Sequence, residues 1–189
     1  MGAGFLPVSI CNGKLMFLFG EERQRPKESA RGWADFGGGP EKGETTIDTA
    51  AREGSEELTG LLGNRTKIRK LLTSKKKVTI KVKNIVYTAY VIPVDYSPDI
   101  VKHFNNQAEF FKKYVPTKVL HKSVIYEKSS IKWFSIEDMK KERSKFRNFY
   151  QHIVDEIIEN EDKITKLFTS NKKKTRKNRG GGDDNVFNI

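Results

Sequence analysis

The chain has 189 residues, of which 36 are Lys or Arg and 24 are Asp or Glu, giving a formal net charge of +12. That length suits one domain with a short appendage and excludes a separate cofactor domain. Hydrophobic residues make up 36%, enough for one core; the single cysteine, Cys11, excludes a disulfide scaffold, and no apolar run reaches the roughly 18 residues of a membrane span.

In chain order, Met1–Pro7 lacks the basic start and long apolar stretch of a signal peptide, and Leu6 stands where myristoylation at Gly2 requires Ser or Thr. The expectation is a soluble cytoplasmic protein, with nuclear access through its basic tail. Phe5–Ile10 and Lys14–Phe19 are short apolar runs separated by Asn12-Gly13, a strong hairpin signal because both residues tolerate positive φ. Residues 21–32 are polar and read as a loop, and 33–39 form a short aromatic, glycine-rich stretch. From Thr46 to about Leu62, Ile47, Ala50, Ala51, Gly54, Leu58 and Leu61 recur at helical spacing, with Thr45 and Asp48 placed as a capping box.

Val78–Val82 and Ile85–Val94 are rich in β-branched and aromatic residues and predict two strands, the second ending at Pro93. Residues 97–114 read as partly helical. Val119–Tyr126 and Ile131–Phe134 are the last strand candidates. A long helical region follows from Ser135 or Glu137 to about Phe168, with Phe146, Phe149, Tyr150, Ile153, Ile157 and Ile158 as its apolar stripe. The domain therefore covers 1–170. Residues 171–189 carry six Lys or Arg, two Asp and three consecutive glycines, and read as a flexible basic tail holding +4 of the charge.

The segment with the most chemistry is Gly37-Gly38-Gly39-Pro40-Glu41-Lys42-Gly43-Glu44, followed by Arg52-Glu53-Gly54-Ser55-Glu56-Glu57. On a helix, Glu53, Glu56 and Glu57 share one side, opposite the apolar positions 47, 51, 54 and 58. Carboxylates crowded in this way repel one another unless a cation compensates, and hard oxygen ligands suit a divalent ion. Arg52 can brace Glu44 and Glu56 with its fork of donors. Consecutive glycines let the backbone approach a ligand closely, and the helix N-terminus favours phosphate oxygens. The same residues are also compatible with a solvated acidic helix face behind a glycine turn. Gly54 costs about 1 kcal/mol of helix propensity relative to Ala, which makes sense where a neighbouring element needs the room.

Gly38, five residues, Glu44, seven residues, then Arg52-Glu53-x-x-Glu56-Glu57 resembles the signature of the Nudix hydrolases. Two positions depart from it: Gly54 replaces an apolar residue, and Thr59 stands where a glycine is expected, with Gly60 one residue late. The hairpin, the Trp33-x-x-Phe36 stretch, the strand near Val86–Val94 and Ile131–Phe134 extend the resemblance over roughly residues 5 to 160. It implies an α/β/α sandwich around a mixed sheet, here with a long C-terminal helix and the basic tail. It also implies hydrolysis of a pyrophosphate bond in a nucleoside diphosphate linked to another moiety. On the matching positions, Glu53, Glu56 and Glu57 would ligate Mg²⁺ or Mn²⁺, Gly38 would add backbone near the metal, and Glu44 would pair with Arg52. Glu127 is the first candidate for a further acidic residue outside the motif, ahead of Glu109 and Asp99. Lys42 is placed to meet a phosphate.

Arg65–Lys83 holds nine basic residues and no acidic one, a strong local field beside the carboxylate helix. Polyanions are its natural partners. A stripe plus a basic tail suits RNA, and the resemblance then favours hydrolysis of the 5′ cap of mRNA, as in decapping members of large DNA viruses. Diphosphoinositol polyphosphate and dinucleoside polyphosphate hydrolysis are the alternatives, as is a non-catalytic RNA-binding module. A methylated cap base carries positive charge and would stack on aromatics, for which Trp33, Phe36, Tyr87, Tyr90, Phe104, Phe110 and Phe111 are the candidates. Trp133 is assigned to packing.

Overall fold

The structure, a computed structural model, describes residues 1–23, 31–122 and 127–169. The tail at 171–189, and with it the expectation that it is flexible, lies outside the described residues. Strands β1 (Gly2–Cys11) and β2 (Lys14–Glu22) form the expected hairpin, with Asn12 and Gly13 both at positive φ (49° and 78°). Both strands run longer than their apolar cores, and Glu21 and Glu22, placed in a loop by their polarity, close β2 instead.

Strands β3 (Trp33–Ala34), β4 (Phe36–Gly38), β5 (Val78–Lys81), β6 (Tyr87–Pro93) and β7 (Lys128–Ser135) complete one sheet. It is mixed. β1 runs parallel to β6, while β1–β2, β1–β4, β2–β3, β2–β7 and β5–β6 are antiparallel. Helices α1 (Thr46–Glu57), α2 (Arg65–Thr73), α3 (Pro98–Tyr114) and α4 (Thr117–Lys122) come before β7; α5 (Ile136–Lys141), α6 (Asn148–Glu159) and α7 (Glu161–Thr169) follow it.

Strand alternation divides the core into two layers. Phe5, Leu18, Tyr90, Ile92 and Trp133 face α1, α2 and α3. Leu6, Phe17, Phe19, Val91 and Phe134 face α6 and α7. The result is the expected α/β/α sandwich, with the carboxylate helix on the first face.

Several boundaries move for physical reasons. The C-terminal helical region is divided: Ser135 and Asp138 form a capping box that starts α5, and the chain then leaves the helix so that Phe146, 2% exposed, enters the core beside Trp33. Asn160 caps the end of α6 before α7 begins. Residues 117–122, expected to open a strand at Val119, are helical, and 123–126 lie outside the described residues. Helix α2 fills the start of the basic block, capped by the Asn64 side chain on the Lys67 N–H, with Ile68 and Leu72 buried four residues apart. The Thr59 departure is absorbed by two successive left-handed residues, Thr59 (φ 51°) and Gly60 (φ 77°), which turn the chain from α1 to α2.

Candidate active site

Helix α1 starts at a true capping box, Thr45 receiving the Asp48 N–H and Asp48 receiving the Thr45 N–H. Its apolar side, with Ala50, Ala51 and Leu58 fully buried, lies on β1 and β4. Gly54 faces Phe5: a Cβ there would stand 2.9 Å from the Phe5 Cβ. The helix is therefore seated as low on the sheet as a glycine allows, which brings Glu53 against the Gly38 backbone of β4.

Glu44 and Arg52 hold the glycine loop against the helix. Glu44 accepts from Arg52 Nε (3.1 Å) and Arg65 Nη2 (3.0 Å) on one oxygen, and from Thr49 Oγ1 and the Glu41 N–H (both 3.0 Å) on the other. Burial pushes its carboxyl up, but the Arg52, Glu41 and Thr49 hydrogen bonds outweigh that and hold its pKa at about 2. Arg52 Nη2 also donates to the Gly39 carbonyl at 2.9 Å, and Nη1 reaches Glu53 (2.9 Å) and Glu56 (3.2 Å). One guanidinium thus ties the loop to two of the three helix carboxylates. A Cβ on Gly38 would collide with Glu53 Oε1, so this backbone is pressed against the carboxylate.

The third carboxylate has a different partner. Glu57, 4% exposed, receives Lys128 Nζ at 3.2 Å, and Lys128, fully buried, also donates to Glu22 Oε1 at 2.5 Å. Arg147 reaches the same Glu22 oxygen at 2.9 Å. Burial raises the Glu57 pKa well above the usual carboxylate range; Lys128 opposes this, while Glu22 and Glu53 add to it. Burial likewise raises Glu53, against Arg52, with help from the charges of Glu56 and Glu127. Glu127 therefore lies within electrostatic reach of the cluster.

Behind these groups lies a buried acid that sequence reading missed. Asp35, 1% exposed, receives the Tyr87 hydroxyl at 2.6 Å, and burial raises its pKa to about 7 against that hydrogen bond and the charge of Lys128. Glu22 and Lys128 were missed as well. Charged residues at the ends of strands read as solvent-facing, and only the pairing of β2 with β7 brings them together. Asp35 did carry a signal, since it interrupts an otherwise apolar and glycine-rich stretch.

Two expectations are corrected. Phe36 is fully buried beneath α1 and offers no face to a substrate. Trp33 packs edge-on against Phe134, 5.1 Å between ring centroids, on the α6 side of the sheet. Lys42 is exposed on the loop before α1, and Trp133 packs, as assigned, with its indole N–H on the Ser97 carbonyl. Glu109 is exposed on α3 and paired with Lys112.

A family model described as the NUDIX domain matches residues 4–156, the body of the fold and every residue of this cluster up to Arg147. The chain belongs to the Nudix family. A curated relative, an uncharacterised protein of Acanthamoeba polyphaga mimivirus, is 53% identical over 58 residues; the match covers 29% of this chain and spans 18% of that relative's length. Among solved structures, an Ap4A hydrolase binary complex from C. elegans has a TM-score of 0.45 at 15% identity, covering 93% of this chain and 99% of that one. The M. smegmatis Nudix hydrolase RenU has a TM-score of 0.48 at 15% identity, covering 86% of each chain. The Nudix domain of Shewanella oneidensis NrtR, complexed with ADP ribose, has a TM-score of 0.47 at 12% identity, covering 86% of this chain and 85% of that one.

The Nudix cluster holds hard oxygen donors of the kind Mg²⁺ and Mn²⁺ require. Glu57 Oε2 is buried with no hydrogen-bond partner, an acceptor that an ion would satisfy. Among the described residues, no three Asp, Glu, His or Cys side chains are gathered closely enough to enclose an ion. Arg52 holds Glu53 and Glu56 on one side and Lys128 holds Glu57 on the other.

Proposed function

We propose that this chain is a Mg²⁺- or Mn²⁺-dependent pyrophosphohydrolase whose substrate is a nucleoside diphosphate linked to a larger moiety, the 5′ cap of RNA. The observation that supports the chemistry is the Glu44–Arg52–Gly39 brace, which fixes the glycine loop over three glutamates, one of them with an orphaned oxygen. Glu53, Glu56 and Glu57, with the Gly38 backbone, would hold the ion, which supplies charge neutralisation at the phosphates and a more acidic bound water. Arg52 keeps two of these carboxylates oriented. Glu127, whose charge reaches Glu53, would be the first candidate to accept a proton from an attacking water.

The charge distribution supports RNA. Arg65 and Arg69 are spent on Glu44 and Asp48, bracing α1 against α2. Lys67, Lys70, Lys75, Lys81 and Lys83 remain exposed on α2, β5 and their flanks, and the tail adds six more cations. A long polyanion binds through many such contacts, each releasing counterions.

The test compares kcat/KM on a capped RNA of tens of nucleotides with that on a cap dinucleotide, at two salt concentrations, for the full chain and for a chain ending at residue 170. Truncation is expected to lower activity on the long substrate and flatten its salt dependence, leaving the dinucleotide nearly unchanged. Equal losses on both would favour a dinucleoside polyphosphate or a diphosphoinositol polyphosphate. Full turnover in excess EDTA would refute the metal-dependent chemistry, and RNA binding without turnover in either metal would leave a binding module.

A further inference from the structure

Helix α3 ends in Phe110-Phe111-Lys112-Lys113-Tyr114, and residues 110–122 carry four lysines and no acidic residue. Aromatic side chains interleaved with cations suit a ligand that offers both flat rings and negative charge. The three rings have different fates. Phe111 is half-buried against the core layer that α3 covers, whereas Phe110 and Tyr114 are 58% and 62% exposed. Phe110 and Tyr114 are four residues apart and so share one side of the helix.

The exposed pair is held in position. Phe110 packs edge-on against Phe111, 6.2 Å between ring centroids, and Tyr114 lies 4.7 Å from Phe110 with the two rings inclined at 44°. Both rings line an open hollow on this side of α3, and Lys113 Nζ stands 5.2 Å from the Tyr114 ring centroid. Glu109 is the one acidic residue in that lining among the described residues. Its ion pair with Lys112, at 3.3 Å, is exposed on both sides, a kind of pair worth little and readily displaced by a phosphate. A base laid on the two rings removes their apolar surface from water and leaves the lysines beside its phosphates.

Lys112 connects this surface to the carboxylate cluster. It lines the hollow of the aromatic pair, and it also lines the cavity that Glu22 and Lys128 line, where Lys128 is the partner of Glu57. A strand that leaves the carboxylates past Lys112 reaches Phe110 and Tyr114 next. The lysines of α2 and β5 can hold only the phosphates of such a polymer, in single and double strands alike. Aromatic rings hold bases, and only where those bases are unpaired.

We infer that Phe110 and Tyr114, flanked by Lys112 and Lys113, form a stacking platform for the unpaired RNA bases that follow the diphosphate. The assignment deepens the proposed function, since it names the surface that takes the body of the substrate and the single-stranded form it requires. It rests on that reading for the identity of the polymer.

The experiment measures, by fluorescence anisotropy at several salt concentrations, binding to the full chain of a 5′-phosphorylated RNA of about twelve nucleotides, single-stranded or annealed to its complement. Phe110→Ala and Tyr114→Ala are each expected to weaken the single strand about tenfold and to leave the duplex unchanged. The salt dependence should keep its slope in both, because no cation is lost, whereas Lys112→Gln combined with Lys113→Gln should flatten it. A 2-aminopurine base in the strand is expected to lose fluorescence on binding the parent chain and to keep it on binding Tyr114→Ala. Phe110→Leu, which retains an apolar contact with Phe111 but no stacking face, replaces Phe110→Ala should the latter fail to fold, as judged by its melting curve. No measurable single-strand binding, single-strand affinity unmoved by these variants, or equal losses on single strand and duplex would overturn the assignment. A dimer of the parent chain that Tyr114→Ala dissociates would give the surface to a second copy and overturn it as well. If the aromatic variants weaken the single strand but no pyrophosphate bond is cleaved in either metal, the proposed function fails and the platform stands. Cleavage of capped RNA together with unmoved single-strand affinity in the variants rejects the platform alone.

Discussion

Gly54 tests how tightly the carboxylate helix is seated. In an exposed helix, Gly→Ala stabilises by about 1 kcal/mol through backbone entropy alone. At position 54 the new methyl would stand 2.9 Å from the Phe5 Cβ, 3.0 Å from Cδ1 and 3.1 Å from Cγ. The Phe5 Cβ cannot swing aside as the end of a flexible chain would. Phe5 is fully buried, and β1 is pinned there between β4 and β6, pairing with Phe36 and Tyr90. Helix and sheet must therefore separate by several tenths of an ångström, and overpacking of this kind costs about 1–3 kcal/mol. With the propensity gain set against it, Gly54→Ala is expected to destabilise by about 1 kcal/mol, and Gly54→Leu by about 3 kcal/mol or more. For a chain of this length, each kcal/mol corresponds to roughly 2–4 °C in Tm. Thermal melts and urea titrations of both variants provide the measurement. A higher Tm for Gly54→Ala would refute the close approach of α1 to β1, and with it the placement of Glu53 and Glu57.

Two further outcomes follow from the buried charges. Lys128→Met leaves Glu22 and Glu57 buried without their shared cation and is expected to cost about 3–5 kcal/mol in a urea titration. Adding Glu57→Gln should recover part of that loss, and a double variant no more stable than the single one would show that Lys128 does not compensate Glu57. Asp35 has a raised pKa, so the folded chain holds a proton that the unfolded chain releases, and stability should fall as pH rises from about 4 to about 7. Asp35→Asn keeps an acceptor for the Tyr87 hydroxyl and should flatten that slope in melts taken across the window; an unchanged slope would remove Asp35 as its source.

The sequence by itself determined the local elements and the motif. Asn12-Gly13 specifies a two-residue hairpin because both residues accept positive φ, and Thr45 with Asp48 starts α1 by satisfying its own N–H groups. The spacing of Arg52, Glu53, Glu56 and Glu57 fixes which carboxylates share a side, since helical geometry is the same in any context. The division of the C-terminal region was hidden because the apolar period continues through Phe146, which reaches the core in an extended conformation rather than a helical one. Trp33 and Phe36 looked available because composition cannot say which face of a strand is covered. Glu22 and Lys128 lie on strands far apart in the chain, and the pairing of β2 with β7 brings them to Glu57, while Asp35, between β3 and β4, is buried within reach of the Lys128 charge. A charge in isolation reads as solvated. Only tertiary packing removes the water, and once the water is gone a buried carboxylate requires a partner, which is why the partners of Glu57 were decided by the fold and its spacing by the sequence.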